Sequence, residues 1–281
     1  MCIDIFMIIS EPDISIDDDV SNCNTNDTVV KYNEVLRQFH YIMKKIGKHI
    51  EITHTFNSPN PYGLFLRDVV IKLNRGYVLC NMKRPERIHE TDYIYKNIKP
   101  IIYQVKYPGT IEGGDVLISN DVTYIGYGER TNLNAIQQLM KHNVFETPKI
   151  CIIRCTTKKR NEIHLDLLFN VLDENTVLLS NEHKNSKCSI YTKSSEGVYV
   201  PEISNRSITE ILEDLSCKII YVSEKSQKNF GCNTIVYNNT VVSQDKDVSR
   251  QLRDNGFDVI SIKMDKINYL GGGIHSLTNN I

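Results

Sequence analysis

Five times along this chain the same order of local signals recurs: an apolar strand, a short polar turn, a second strand, a helix and a closing strand. In one copy, apolar stretches at 64–70 and 77–80 flank the turn Asn74-Arg75-Gly76, a charged segment at 83–99 has helical character, and 101–105 closes as a strand. The next copies pair 116–118 with 123–125, 167–172 with 177–179, and 234–237 with 241–242. Each pair is followed by a helix and a strand, the last strand of the chain being 259–262. The helices announce themselves by apolar spacing of three and four, as in Val35, Leu36, Phe39, Ile42, Met43 and Ile46 within 29–48, or Leu133, Ile136, Leu139 and Met140 within 131–141. Ser207 with Glu210 three residues on predicts a capping box at the head of 207–215, and Gly256 a C-cap behind 247–255. Hairpins recurring between helices do not suit a purely parallel, doubly wound sheet, so the pattern predicts an α/β fold built by radial repetition.

At 281 residues, 41% hydrophobic and 24% charged, the chain can bury a sizeable core, and we expect a single domain over 1–281. A net charge of −1, with Lys and Arg scattered, offers no field for nucleic acid. The apolar opening at 3–9 is broken by Asp4 and stopped by Glu11-Pro12, so it reads as a buried strand and not as a leader. No stretch approaches the ~20 apolar residues that cross a bilayer. Eight cysteines without a Cys-x-x-Cys spacing predict a reduced, cytoplasmic setting. The polar, acidic stretch 13–27 reads as a solvated loop or lid.

Four short motifs carry the chemistry: Phe65-Leu66-Arg67-Asp68, Glu112-Gly113-Gly114-Asp115, His164-Leu165-Asp166, and a terminal bend Gly271-Gly272-Gly273-Ile274-His275-Ser276. Three consecutive glycines remove every Cβ from that bend and let the backbone approach a ligand. If His164 and Asp166 lie on a strand, two residues apart, they face the same side. Several acids with little compensating base suit a cation, and the forked guanidinium is the cation whose N–H groups match paired carboxylates. Arg67 and Arg130 are candidates for the carboxylate end of such a ligand, Arg67 equally for a salt bridge. His, Asp and Glu could also hold a metal, but without His-x-x-x-His or paired cysteines no metal or cofactor is expected. A serine hydrolase built on Ser276, His164 and Asp166 would lack Gly-x-Ser-x-Gly.

In this order the motifs resemble the guanidine-modifying (pentein) superfamily: arginine deiminases, dimethylarginine hydrolases, agmatine and protein-arginine deiminases, and amidinotransferases. The resemblance runs from about Ile3 to Ile281, and Gly126 with Glu129-Arg130-Thr131 is similar to the segment after Glu-Gly-Gly-Asp in arginine deiminases. It implies a five-bladed α/β propeller with pseudo-five-fold symmetry. It also implies attack of a cysteine thiolate on the guanidinium carbon through a covalent thiouronium intermediate. Asp68 and Asp166 would clamp the guanidinium, His164 would protonate departing ammonia and then activate water, and Glu112 would support His164. Arg87 and Arg130 resemble the arginines that hold the substrate carboxylate, and Phe65 and Gly273 are carried over as substrate-binding positions.

The position matching the cysteine is Ser276, which departs from the pattern. A hydroxyl is far harder to ionise than a thiol, so this chain is expected to bind without turnover. A Cys-to-Ser trap and a natural pseudoenzyme both explain this, the intact acids favouring the trap. An acid at 166 argues for unmodified arginine as the partner, hydrolysed to citrulline and ammonia, with amidino transfer as the alternative reaction. A homodimer is left open, with no nucleic acid or membrane involved.

Overall fold

The computed structural model describes residues 7–12, 32–58, 61–155 and 163–280. The chain starts with β1 (Met7–Pro12), α1 (Tyr32–Ile46) and β2 (Ile52–Ser58), the two strands running parallel. Then come a short helix α2 (Leu66–Val69), the hairpin β3 (Val70–Leu73) and β4 (Gly76–Leu79), α3 (Ile88–Asn97) and β5 (Ile101–Gln104) parallel to β4. The scheme repeats in β6 (Val116–Ile118), β7 (Val122–Tyr127), α4 (Leu133–Lys141) and β8 (Lys149–Arg154). The next unit begins with the hairpin β9 (Phe169–Val171) and β10 (Thr176–Ser180). A second hairpin, β11 (Lys187–Lys193) and β12 (Tyr199–Ser207), follows, then α5 (Ile208–Asp214) and β13 (Lys218–Val222) parallel to β10. After α6 (Glu224–Gln227), the hairpin β14 (Ile235–Tyr237) and β15 (Thr240–Ser243) leads through α7 (Lys246–Asp254) to β16 (Asp258–Ser261). The short α8 (Asp265–Asn268) precedes β17 (Thr278–Asn280).

Among the described residues these strands form five separate sheets, β3-β4-β5, β6-β7-β8-β11-β12, β9-β10-β13, β14-β15-β16 and β17-β1-β2, none closing on itself. Each is built on an antiparallel hairpin with a parallel third strand returned by a helix, the second being extended by β11 and β12 beyond β8, and the fifth taking as hairpin partner β17, which arrives from the far end of the chain to lie antiparallel to β1. This is the five-bladed α/β propeller that the repeats predict. The apolar side chains gather in four clusters, for example Val35, Phe39, Ile42 and Ile46 of α1 with Ile262, Ile267, Ile274 and Leu277.

Four expectations are corrected. The stretch 64–70 is not a strand: residues 66–69 wind into α2 and the strand begins at Val70, a short apolar run being compatible with either conformation. His164 and Asp166 do not alternate along a strand, because Leu165–Leu167 form a single 3-10 turn with His164 at its head. The chain's last strand is β17, not the one at 259–262. The opening strand does not stop short of Glu11 and Pro12 but takes them in, Pro12 being its last residue, and there it pairs with β2 alone because β17 reaches only Met7 to Ile9. The capping box at Ser207 forms as expected, and Gly256 closes α7 with φ +88. The loop at 13–27 lies outside the described residues.

Candidate active site

Each innermost strand is entered through a tight turn, and the five turns deliver the polar residues. Asp68 lies in α2 before β3, Glu112 to Asp115 before β6, His164 to Asp166 before β9, Asn233 before β14, and His275-Ser276 before β17. The Gly-Gly pair allows the first three turns to touch: a Cβ on Gly113 would stand 2.1 Å from the Arg67 carbonyl oxygen, and one on Gly114 3.0 Å from the His164 ring and 3.1 Å from Asp68 Oδ1. The terminal glycines serve three different needs. Gly271 adopts φ +96, a Cβ on Gly272 would be 2.4 Å from the Phe65 ring, and a Cβ on Gly273 would be 2.5 Å from Asn233 Oδ1.

A cavity of about 260 Å³ opens at this convergence, lined by Phe65, Asp68, Arg84, Arg87, Glu129, Arg130, Ile163, His164, Leu270, Gly271, Gly272 and Ser276. Glu112 stands one layer back, fully buried, with Oε2 2.7 Å from His164 Nε2 and Arg130 Nη1 donating to it at 3.2 Å. Asp166 is fully buried as well, with Oδ2 2.8 Å from His275 Nδ1. Asn233 links Asp166 to Ser276 by donating to the Asp166 carbonyl and to Ser276 Oγ, each at 3.3 Å. Thus Asp68, His164 and Ser276 face one cavity, and Glu112 and Asp166 support its walls.

The charges are organised around His164. Burial alone would make its ring neutral, but the Asp68 charge 3.6 Å from Nδ1 and the hydrogen bond and charge of Glu112 override this and raise its pKa to about 10. Reciprocally, burial would push Glu112 up, yet the His164 hydrogen bond and charge, with Arg130, hold it at about 2. Asp115 serves structure: buried, and raised to about 7 by that burial, it accepts from Thr131 Oγ1 at 2.6 Å and from the Leu165 N–H at 2.9 Å.

Two carboxylate oxygens, Asp68 Oδ1 and Asp166 Oδ1, are buried without a hydrogen-bond partner, and so is Arg130 Nε. An orphaned acceptor of this kind costs free energy unless a donor arrives. Three sequence expectations look different in the structure. Arg87, expected at the substrate carboxylate, reaches the cavity wall with its donors engaged: 2.7 Å to Asp68, 3.0 and 2.9 Å to Glu90, and 3.4 Å to the Phe65 carbonyl. Gly273 faces Asn233, while Gly271 and Gly272 line the cavity. Arg67 turns away from the cavity to donate to the His275 carbonyl at 3.4 Å and to Asn279 at 3.3 Å, lining instead a separate pocket of about 210 Å³. Asn233 and the contact of His275 with Asp166 are not read from the sequence; the position of Asn233, just before the innermost strand of the fourth unit, is the signal that could have found it.

The ligand atoms of Asp68, Glu112 and His164 lie within 4.8 Å of one another, close enough for a metal, although the His164–Glu112 hydrogen bond spends one atom of each on the other. No helix among the described residues is long and apolar enough to cross a membrane.

The fold, with acids and a histidine brought together by the entry turns, is that of the pentein superfamily. The family model of arginine deiminase matches residues 15–281, and the chain belongs to that family. It is 26% identical to the uncharacterized protein YkgA of Bacillus subtilis, over 78% of this chain and 69% of that one. To an arginine deiminase of Listeria monocytogenes it is 26% identical over 79% of its length, spanning 62% of that relative. Among solved structures, a dimethylarginine dimethylaminohydrolase from Pseudomonas aeruginosa, as a Cys-to-Ser mutant complexed with citrulline, superposes with TM-score 0.74 at 20% identity, covering 98% of each chain. The N-terminal domain of the cyanobacterial arginine dihydrolase ArgZ, as a Cys-to-Ser mutant bound to substrate, superposes with TM-score 0.77 at 19% identity, covering 99% of this chain and 98% of that one.

Proposed function

We propose that the cavity takes the guanidinium of free arginine, and that this chain, a single catalytic domain with Ser276 at the nucleophile position, holds it without hydrolysing it. The observation that carries the reading is the pair of buried oxygens, Asp68 Oδ1 at the cavity and Asp166 Oδ1 behind its wall, that lack a hydrogen-bond partner and suit the donors of a flat cation. A dimethylated guanidinium would present fewer N–H groups to them, so unmodified arginine is favoured. Arg130 Nε, buried without a hydrogen-bond partner and only 3.8 Å from Glu129 Oε1, and Arg84 at the cavity wall are the donors left for the α-carboxylate.

With a thiol at 276 the roles follow in order. The thiolate attacks the guanidinium carbon; protonated His164 gives its proton to the departing ammonia, and the neutral ring then takes one from the water that releases citrulline. Glu112 balances the imidazolium. Among the described residues no nearby cysteine substitutes for the missing thiol. Cys80 and Cys155 have their pKa raised by burial and then by neighbouring acids, and Cys232 is raised by burial while its thiol donates to the Leu168 carbonyl at 3.3 Å. Two structural neighbours with serine in place of cysteine hold citrulline or substrate, in keeping with a chain that binds and stops.

Calorimetric titration of this chain with arginine, agmatine and dimethylarginine tests the ligand. Arginine is expected to bind with Kd in the range of about 1 µM to 1 mM, tighter than the other two. Ser276→Cys is expected to release citrulline and ammonia where Ser276 releases none. An amidinated product appearing when an acceptor amine is added would reassign the reaction to transfer, and absence of any arginine binding would overturn the reading.

A further inference from the structure

The fourth blade contributes no ionisable residue to the cavity. Its entry turn holds Asn233, which is fully buried and makes four hydrogen bonds. Oδ1 accepts from the backbone N–H groups of His275 at 2.9 Å and Ser276 at 3.4 Å. Those two donors fix the amide orientation, since Nδ2 in that place would face N–H groups. Nδ2 must then point the other way, and it donates to Ser276 Oγ and to the Asp166 carbonyl, each at 3.3 Å. The terminal bend is shaped around this side chain, because a Cβ on Gly273 would stand 2.5 Å from Asn233 Oδ1.

We propose that Asn233 is a positioning residue for the nucleophile position: its carbonyl oxygen holds the 275–276 backbone in place, and its N–H group stabilises negative charge on the side-chain atom at 276. The inference rests on the reading that 276 is the nucleophile position. It answers a problem the site poses. Asp68 lines the same cavity as Ser276, with Glu112 and Asp166 buried behind its walls, and like charge disfavours forming an anion there. The His164 imidazolium offsets part of this, and a fixed N–H dipole aimed at the atom supplies another part without adding a charge that would repel a cationic ligand. The fourth turn therefore carries an amide where the first three carry acids.

The test needs no substrate. In a Ser276→Cys background, the rate of alkylation of the introduced thiol by iodoacetamide is followed against pH, with mass spectrometry locating the adduct. Asn233→Leu keeps the size of the side chain and adds no charge, but removes the donor. The inflection is expected to move up by about one pH unit or more, a tenfold or greater loss of rate below it. A merely structural Asn233 would lower the melting temperature in Asn233→Leu but leave the inflection where it was, and that result overturns the proposal. Should Asn233→Leu fail to fold, Asn233→Ser, too short to span to 276, is expected to move the inflection in the same direction, and an unmoved inflection there overturns it equally. Failure of Ser276→Cys to form citrulline would count against the deiminase reading alone, because the alkylation profile is read without turnover.

Discussion

At the scale of single residues, the buried His164–Glu112 pair makes stability depend on pH in a direction that can be stated in advance. Burial opposes the charged form of His164, but Asp68 and Glu112 raise its folded pKa to about 10, against about 6.5 in an unfolded chain. A raised value means the folded state keeps a proton the unfolded state has lost, so this contribution is complete below about pH 6.5 and disappears as pH climbs to about 10. Unfolding free energy is expected to fall across that window by up to about 1.4 kcal/mol per pH unit. Replacing Glu112 with Gln removes one of the two nearby charges and should bring the loss to lower pH, as denaturant melts at stepped pH would reveal; an unmoved alkaline limb would remove Glu112 from the account. The acids and the histidine were legible in the sequence because each sits in a motif with its own spacing. Asn233 was not, since Gly231-Cys232-Asn233-Thr234 looks like any polar turn until the blade symmetry sets it beside the other four. The role of Arg87 was hidden for a related reason: sequence reveals a guanidinium but not that Glu90, one helical turn on, accepts from it.

At the scale of elements, local rules read the helices well and the short strands poorly. Both signals of the capping box at α5 appear in the sequence and both bonds form, the Glu210 N–H to Ser207 Oγ at 3.3 Å and the Ser207 N–H to Glu210 Oε2 at 2.8 Å. Ser207→Ala should therefore cost about 1 kcal/mol, seen as a lower denaturation midpoint with an unchanged slope, and no change in midpoint would mean that packing of Ile208, Ile211 and Leu212 alone sets the helix. The hairpin β11–β12 went unread because β12 is an edge strand: it carries Pro201, turns through Asn205 at φ +58, and exposes most of its residues, so no apolar alternation marks it. The turns before the inner strands were taken for strand because three or four apolar residues fit either period. Long-range packing at the blade centre makes the choice there, and it is this choice that places Asp68 and Asp166.

At the scale of the whole molecule, the ring is completed by non-local pairing. β17 lies antiparallel to β1 through Met7–Asn280, Ile8–Asn279 and Ile9–Thr278, and β1 runs parallel to β2 on its other side. The residues of β17 follow directly on His275 and Ser276, so the strand that closes the fifth blade also fixes the terminal bend. Asn279 extends that anchorage, donating to the Val70 carbonyl of the first blade at 2.7 Å and accepting from Arg67. It follows that damage to β1 should reach the site through β17. Ile8→Pro introduces a ring and removes an N–H in the middle of a strand paired on both sides, a change that costs about 3 kcal/mol or more in regular structure. We expect a lowered melting temperature and arginine binding weakened at least tenfold, measured well below the new transition so that the fold is populated. Intact affinity in a protein destabilised to that degree would mean that the blade centre holds its shape without closure, with the terminal bend fixed by Asn233 and Arg67 alone.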